Sequence, residues 1–278
     1  MAVWTFARLT LHEAARSRFV LLTAVLGAVY IALIAWGCHT LLDFAKSPSA
    51  AQVSAVGIEV MALFMISFVL PLVAVFVAGA STHHDGETGL LQAMLTRPIR
   101  RAELVVGKWL GAAMLLAVYT AVLAGGVIGA AGLILDYYPP HPFLAGGLLW
   151  LEALVVLSLR MLFGTFLGNM ASGILPLMLY GLGWMGGLVE SLGQALDIQA
   201  MVNGGITTSL VIPTDALWRG VSYFLLPSVA SGIAGQAVGR GNPLVSFVPI
   251  AGPMVIWAVA YVTTVLALGG WLFARRDV

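Results

Sequence analysis

The chain consists of long apolar stretches separated by short polar segments. Six stretches are long enough to cross a bilayer, because a membrane-spanning helix needs about 20 mostly apolar residues. Pro71 lies inside the second stretch, where we expect it to kink the helix. The pattern predicts an all-α integral membrane protein that forms a single transmembrane domain over residues 1–278. The six predicted transmembrane helices lie at about residues 19–38, 57–80, 106–135, 144–168, 172–192 and 247–273.

The composition supports this fold class. Hydrophobic residues make up 60% of the 278 residues and charged residues 9%, and the mean hydropathy is +1.00. A soluble domain carries about 25% charged residues, which it needs to cover its surface. We therefore expect membrane lipid around this chain and no nucleic acid partner. Cys38 is the only cysteine, so the chain cannot form an internal disulfide.

Residues 193–246 interrupt the apolar pattern with prolines, glycines and arginines. We expect re-entrant or interfacial helices on the outer face there, and no continuous helix of about 20 residues. Asp215 could cap a short helix that follows it. That helix would place four apolar residues on one face, namely Leu217, Val221, Phe224 and Leu225.

The basic residues favour one orientation in the membrane. If both termini are cytoplasmic, ten basic residues fall on the inner side and three on the outer side, as the positive-inside rule requires. The outer three are Lys46, Arg219 and Arg240. The inner ten are Arg8, Arg16, Arg18, Arg97, Arg100, Arg101, Lys108, Arg160, Arg275 and Arg276.

Residues 81–104, between the second and third stretches, form a long polar segment in this apolar chain. They can form a short amphipathic cytoplasmic helix that starts near Asp85 and Glu87, since acidic residues suit the positive end of a helix. Pro98 would end it. Its apolar face would hold Leu90, Leu91, Met94 and Leu95. The alternative is a solvated loop that simply obeys the positive-inside rule.

This segment resembles the permeases of ABC-2 type transporters. The shared pattern is acid-x-Glu-Thr-Gly-x-Leu at 85–91, Leu-Thr-x-Pro-x-x-Arg at 95–101, and Gly-Lys at 107–108. Residues 6–18 are similar to the amphipathic helix that precedes the first span of that family, and residues 273–277 are similar to a common family ending. Within the family, the chain most resembles bacterial permeases linked to the maturation of multicopper enzymes such as nitrous oxide reductase.

The resemblance implies a transmembrane permease subunit in the inner membrane of a bacterium. In that family the loop contacts a separate ABC ATPase subunit, which binds ATP and Mg, and the permease pairs with a second copy or a homologous permease. It implies no cofactor, metal or catalytic residue in this chain. Gly107-Lys108 also lacks the upstream glycine of a nucleotide-binding loop. The residues implied in coupling are Asp85, Glu87, Thr88, Gly89 and Arg97.

Two charged residues, Glu152 and Arg160, lie inside the fourth stretch. Each costs roughly 2.5–3.5 kcal/mol at the centre of a bilayer. Their spacing corresponds to about 12 Å of helix rise, so they cannot pair with each other, and each needs a partner elsewhere. Interface placement or internal pairing is the structural interpretation, and a role in a substrate pathway is the functional one.

Several other features have two interpretations. His83-His84 could bind a metal, but a solvated loop is favoured because no third histidine is near. The small-residue pairs favour packing within the chain over a dimer contact. These pairs are Gly107/Gly111, Gly125/Gly129 and Gly183/Gly187. An intramembrane enzyme and a non-transporting structural subunit remain the alternatives to a permease.

The orientation can be tested by cysteine labelling in a chain whose Cys38 has been replaced. A cysteine placed near Arg100 or after Arg276 should react with a membrane-impermeant maleimide only from the cytoplasmic side, because the positive-inside rule places both there. A cysteine in place of Lys46 is the matched control and should react from outside. External labelling near Arg100 would contradict the orientation.

Overall fold

The structure, a computed structural model, describes residues 2–44, 48–87, 101–227, 242 and 244–275. Within these residues every regular element is an α-helix, which confirms the all-α prediction. The helices are α1 Ala2–Arg16, α2 Arg18–Phe44, α3 Pro48–Glu87, α4 Arg101–Leu135, α5 Pro142–Gly164, α6 Asn169–Ala195, α7 Gln199–Val211, α8 Thr214–Leu225 and α9 Gly252–Ala274.

Six of these helices are long and apolar enough to span a membrane, as predicted. Their spanning segments are Arg18–Leu42, Val53–Gly79, Glu103–Leu135, Pro142–Gly164, Asn169–Ala195 and Gly252–Ala274. Four boundaries differ from the prediction by four or five residues, because the first span ends at Leu42, the second begins at Val53, the fourth ends at Gly164 and the sixth begins at Gly252. Helices α5 and α9 each carry a proline in the first turn. Proline suits a helix start, because the backbone N–H group of a first-turn residue has no acceptor within the helix. The side on which the termini lie stays a prediction.

Helix α5 is the centre of the bundle. It packs against α3, α4, α6, α8 and α9, and its residues from Glu152 to Met161 are all buried. The most apolar stretches of α3 and α5 are 67% and 61% buried, whereas only 6% of the corresponding stretch of α2 is buried. Helix α2 therefore lies at the edge of the bundle, where lipid or another subunit covers its apolar side chains.

Aromatic side chains join neighbouring helices through their polar atoms. The indole N–H of Trp109 on α4 donates to the Ser158 hydroxyl of α5 at 3.0 Å. The indole N–H of Trp150 on α5 donates to the Ala113 carbonyl oxygen of α4 at 2.9 Å. The Tyr30 hydroxyl of α2 donates to a carbonyl oxygen of α3 at 2.8 Å. Because lipid offers no hydrogen-bond partner, such bonds fix which helices are adjacent.

The described part of 193–246 contains two short helices, α7 of 13 residues and α8 of 12, and no helix of about 20 residues. Neither helix is long enough to cross a bilayer. Leu217, Val221 and Leu225 of α8 are fully buried, so this apolar face lies in the protein core and not against lipid. Whether these helices lie at the outer face of the membrane stays a prediction.

The expectation that Asp215 caps α8 is wrong. The N-cap position is Pro213, and no side chain caps the helix. Asp215 instead accepts a hydrogen bond from Arg219 at 2.8 Å, one turn further along the same helix. Residues four apart are neighbours on a helix surface. Arg219 therefore gives Asp215 a positively charged partner, whereas a capping position would give it only backbone N–H groups.

Close approach of helices at glycines confirms packing within the chain at three of the predicted small residues. A Cβ on Gly111 would lie 2.7 Å from the Ala7 carbonyl oxygen, so α1 rests directly on α4. A Cβ on Gly183 or Gly187 would collide with side chains of Thr214 or Asp215. Gly125 and Gly129, in contrast, have open space beside them.

The contact between α1 and α4 predicts opposite effects for two similar substitutions. Replacing glycine by alanine within a helix normally stabilises it by about 0.5–1 kcal/mol. Gly111→Ala should instead destabilise by about 1–3 kcal/mol, because the added methyl group overpacks against α1. Gly125→Ala is the control and should be neutral or stabilising. Thermal unfolding in detergent measures both, and a Gly111→Ala protein as stable as Gly125→Ala would contradict the packing.

Candidate functional site

The segment predicted to contact an ATPase begins in the last turn of α3. Asp85 and Glu87 lie in this turn, whereas Thr88, Gly89 and Arg97 lie outside the described residues. The expected start of a separate helix at Asp85 and Glu87 is wrong, because the 40-residue helix α3 continues through both, and the rest of that predicted helix lies outside the described residues. No proline interrupts the chain between the second span and Glu87, so the helix can continue.

Helix α3 therefore projects beyond its apolar spanning segment. Its apolar spanning segment ends at Gly79 and its last helical residue is Glu87, eight residues later. Eight residues add about 12 Å of rise. The acidic residues stand at the C-terminal end of a helix, where the macrodipole does not favour them. Helix stability therefore does not explain their position.

Several helix ends meet beside this projection. Phe19 at the start of α2 packs on Phe76 near the end of the α3 span, with ring centroids 4.8 Å apart. Helix α1 packs on the first third of α4 through the contact of Ala7 with Gly111. The start of α6 meets the end of α5 around Arg160, as described next. The face predicted to be cytoplasmic therefore includes α1, the projecting end of α3 and three helix termini, the starts of α2 and α6 and the end of α5.

Arg160 is buried near the end of α5, with 1% of its surface exposed. Its Nη1 atom donates to the Ser172 hydroxyl at 2.7 Å, and its Nη2 atom donates to the Asn169 side-chain oxygen at 2.8 Å. Its Nε atom has no partner among the described residues. The prediction that Arg160 finds partners other than Glu152 is confirmed, and both partners belong to α6.

Glu152 is equally buried, two turns earlier on α5. Its carboxyl group lies against the hydroxyl of Tyr180 on α6, and one of its oxygens, Oε2, has no hydrogen-bond partner among the described residues. The Tyr180 hydroxyl donates to the Ser67 carbonyl oxygen of α3 at 3.0 Å. The contact therefore joins the central helix to two others. It lies beside a cluster of packed aromatic rings formed by Phe64, Phe68, Tyr180, Trp184 and Trp218. The sequence analysis identified Glu152 but not Tyr180, for which the sequence contains no spacing signal.

A third polar group, centred on Arg219, holds α8 against α6. Its Nε atom bonds to Asp215 at 2.8 Å, its Nη1 to Glu190 at 2.9 Å and its Nη2 to the Gly187 carbonyl oxygen at 3.0 Å. Burial raises the pKa of Asp215 to about 6, although the Arg219 charge opposes the shift. The four-residue spacing of Asp215 and Arg219 indicates their ion pair in the sequence. It does not indicate the contacts of Arg219 with Glu190 and Gly187.

Comparison with known proteins connects this architecture to a family. The family model described as "ABC-2 family transporter protein" matches residues 4–278. The chain is 27% identical to "Probable ABC transporter permease protein NosY" of Pseudomonas aeruginosa, over 99% of both chains. It is 32% identical to the protein of the same name from Stutzerimonas stutzeri, over 44% of this chain and 42% of that one.

The Arg219 group predicts a pH-dependent stability defect. Arg219→Gln should destabilise by about 2 kcal/mol at pH 8, less than for a fully buried pair because Arg219 is partly exposed. Without the cation, the negative charge of Asp215 faces Glu190. Since the folded state binds a proton at Asp215 more readily than the unfolded chain does, acidification through pH 6 removes that charge and should shrink the defect.

Thermal unfolding in detergent at pH 8 and pH 5 measures this difference. Arg219→Lys keeps the charge but cannot reach all three acceptors, so an intermediate defect is expected. Arg8→Gln removes an exposed arginine of α1 and is the neutral control. A defect of Arg219→Gln that is equal at both pH values would contradict the role given to Asp215.

Proposed function

Because the chain belongs to the ABC-2 family of transporters, we propose that it is a permease subunit that moves its substrate with ATP hydrolysed on a separate nucleotide-binding subunit. The observation that carries this proposal is the projection of α3 beyond its span, at the position where the resemblance implies the ATPase contact. ATP and Mg bind to the partner, and we assign no catalytic residue to this chain.

Helix α3 is suited to transmit force into the membrane. It is among the most buried spans, and it packs against α2, α4, α5, α6 and α8. A displacement of its projecting end cannot be absorbed locally, because close-packed interiors resist compression. We infer that ATP binding on the partner pushes this end and that the spans rock to give alternating access. Asp85, Glu87, Thr88, Gly89 and Arg97 form the proposed contact.

The membrane and the second permease complete the proposed assembly. The chain resides in a bacterial inner membrane and pairs there with an identical or homologous permease. Helix α2 supports this pairing, since one side of it packs on the bundle while many of its apolar side chains are exposed within the described chain, among them Leu21, Leu22, Val25, Leu26 and Val29. The similarity to two proteins named "Probable ABC transporter permease protein NosY" supports the permease assignment. A place among the permeases linked to multicopper enzyme maturation rests on the sequence resemblance.

The polar residues favour a permease over an intramembrane enzyme. A catalytic site needs several convergent polar groups at one depth. In the described chain the polar groups meet α6 at three successive levels: Arg160 at Asn169 and Ser172, Glu152 at Tyr180, and Arg219 with Asp215 at Gly187 and Glu190. Each group joins helices to one another. This arrangement suits helices that move as linked bodies.

Reversing the charge at Glu87 tests the coupling contact. Glu87→Arg should uncouple ATP hydrolysis from transport and leave expression and insertion nearly unchanged, because the carboxylate accepts hydrogen bonds from the partner. Arg100→Gln is the comparison and should affect insertion or orientation more than coupling, since a basic residue near an anionic surface is worth about 1 kcal/mol.

The measurement is ATPase stimulation and transport in proteoliposomes that contain both subunits. Undiminished coupling in the Glu87→Arg protein would remove Glu87 from the mechanism. Failure to purify any ATPase with the wild-type chain would remove the ATP-driven transporter as the function.

A further inference from the structure

A groove of about 670 Å³ opens on the outside of the bundle beside Arg160. It lies between the start of α2, the end of the α3 span and the first turns of α6. The exposed fractions of Phe76, Met170 and Ile174 at its mouth are 54%, 81% and 49%. The walls are mainly apolar and consist of Phe19, Val75, Phe76, Met170, Ile174 and Leu177.

The base of this groove carries a positive charge that no described side chain neutralises. Arg160 bonds only to a hydroxyl and a side-chain amide, and its Nε hydrogen has no acceptor among the described residues. A buried cation is expensive unless an anion and hydrogen-bond acceptors surround it. The groove is therefore a place where an anionic group would lower the free energy of the protein.

The groove also lies at the depth of lipid head groups. Arg160 is four residues before the end of α5, Asn169 is the first residue of α6, and Gly79 ends the α3 span. The first turn of the 27-residue helix α6 has no side-chain cap, and its positive dipole end adds to the Arg160 charge. An anion here would meet a cation, the Asn169 amide and a helix N-terminus together.

We propose that this groove binds an anionic phospholipid from the leaflet whose head groups lie level with Arg160. The phosphate would lie against Arg160 and the start of α6. The acyl chain would lie along Val75, Phe76 and Leu177. A lipid is favoured over a free anion because the walls are apolar and open toward the bilayer, so an ion alone would leave them uncovered. The site joins α3, α5 and α6, and the proposal is independent of the ATP-coupling mechanism.

The test is native mass spectrometry of the full-length permease during stepwise removal of lipid, with phosphatidylglycerol and phosphatidylcholine as probes. The wild type should retain one phosphatidylglycerol molecule and should prefer it over phosphatidylcholine. Millimolar inorganic phosphate should not displace it. Arg160→Gln should lower its retention about ten-fold or more, because the charged hydrogen bonds to phosphate are lost.

A second variant keeps the test valid if Arg160→Gln fails to fold. A Cβ on Gly79 would already lie 3.2 Å from Nη2 of Arg160, so Gly79→Leu should fill the groove and expel the lipid while Arg160 remains. Gly125→Leu is the matched control, because no atom lies within 4 Å of a Cβ there. It should retain the lipid as the wild type does.

Three outcomes would overturn the proposal. The first is equal retention of phosphatidylglycerol by the wild type and by folded Gly79→Leu or Arg160→Gln proteins. The second is displacement by inorganic phosphate, or equal retention of phosphatidylcholine, which would show a site without selectivity for an anionic lipid. The third is a disulfide between two copies carrying Met170→Cys with no lipid bound, which would show that a second permease covers the groove.

Discussion

The absence of hydrogen-bond partners in lipid is the constraint on which this structure depends. Each spanning segment must satisfy its own backbone, so the chain crosses as helices, and a polar side chain inside is stabilised when it finds a partner in the protein. Helix α5 shows the consequence most clearly. It occupies the centre of the bundle and carries both Glu152 and Arg160 in buried positions, and the contacts described for them lead to neighbouring helices.

Helix α6 receives most of these polar contacts. It supplies Tyr180 to Glu152, Ser172 and Asn169 to Arg160, and Glu190 to Arg219. Hydrogen bonds are stronger in a medium of low dielectric constant, so each contact fixes a helix pair more firmly than apolar packing between interchangeable side chains does. Helix α6 is thus tied to the centre of the bundle at one end and to the short helix α8 at the other.

The same rigidity gives the projecting end of α3 its functional meaning. A helix that crosses the membrane and continues beyond it can convey a displacement only if its buried part moves as a unit. The packing of α3 against the bundle supplies that condition, and its helical backbone, which continues past Pro71 to Glu87, supplies the link to the proposed ATPase contact. A site such as the groove beside Arg160, which touches α3, α5 and α6 together, would then be sensitive to the motion.

The sequence by itself determined that the chain is an all-α membrane protein with six spans, because helix length and apolar composition are local properties matched to bilayer thickness. It also identified Glu152 and Arg160 as buried charges that cannot pair with each other. Only the tertiary structure decided their partners, the placement of α8 in the core, and the continuation of α3 through Asp85 and Glu87. The reason is physical: helices that are apolar on every side carry no periodic signal of which neighbour they face, so adjacency follows from packing between distant segments.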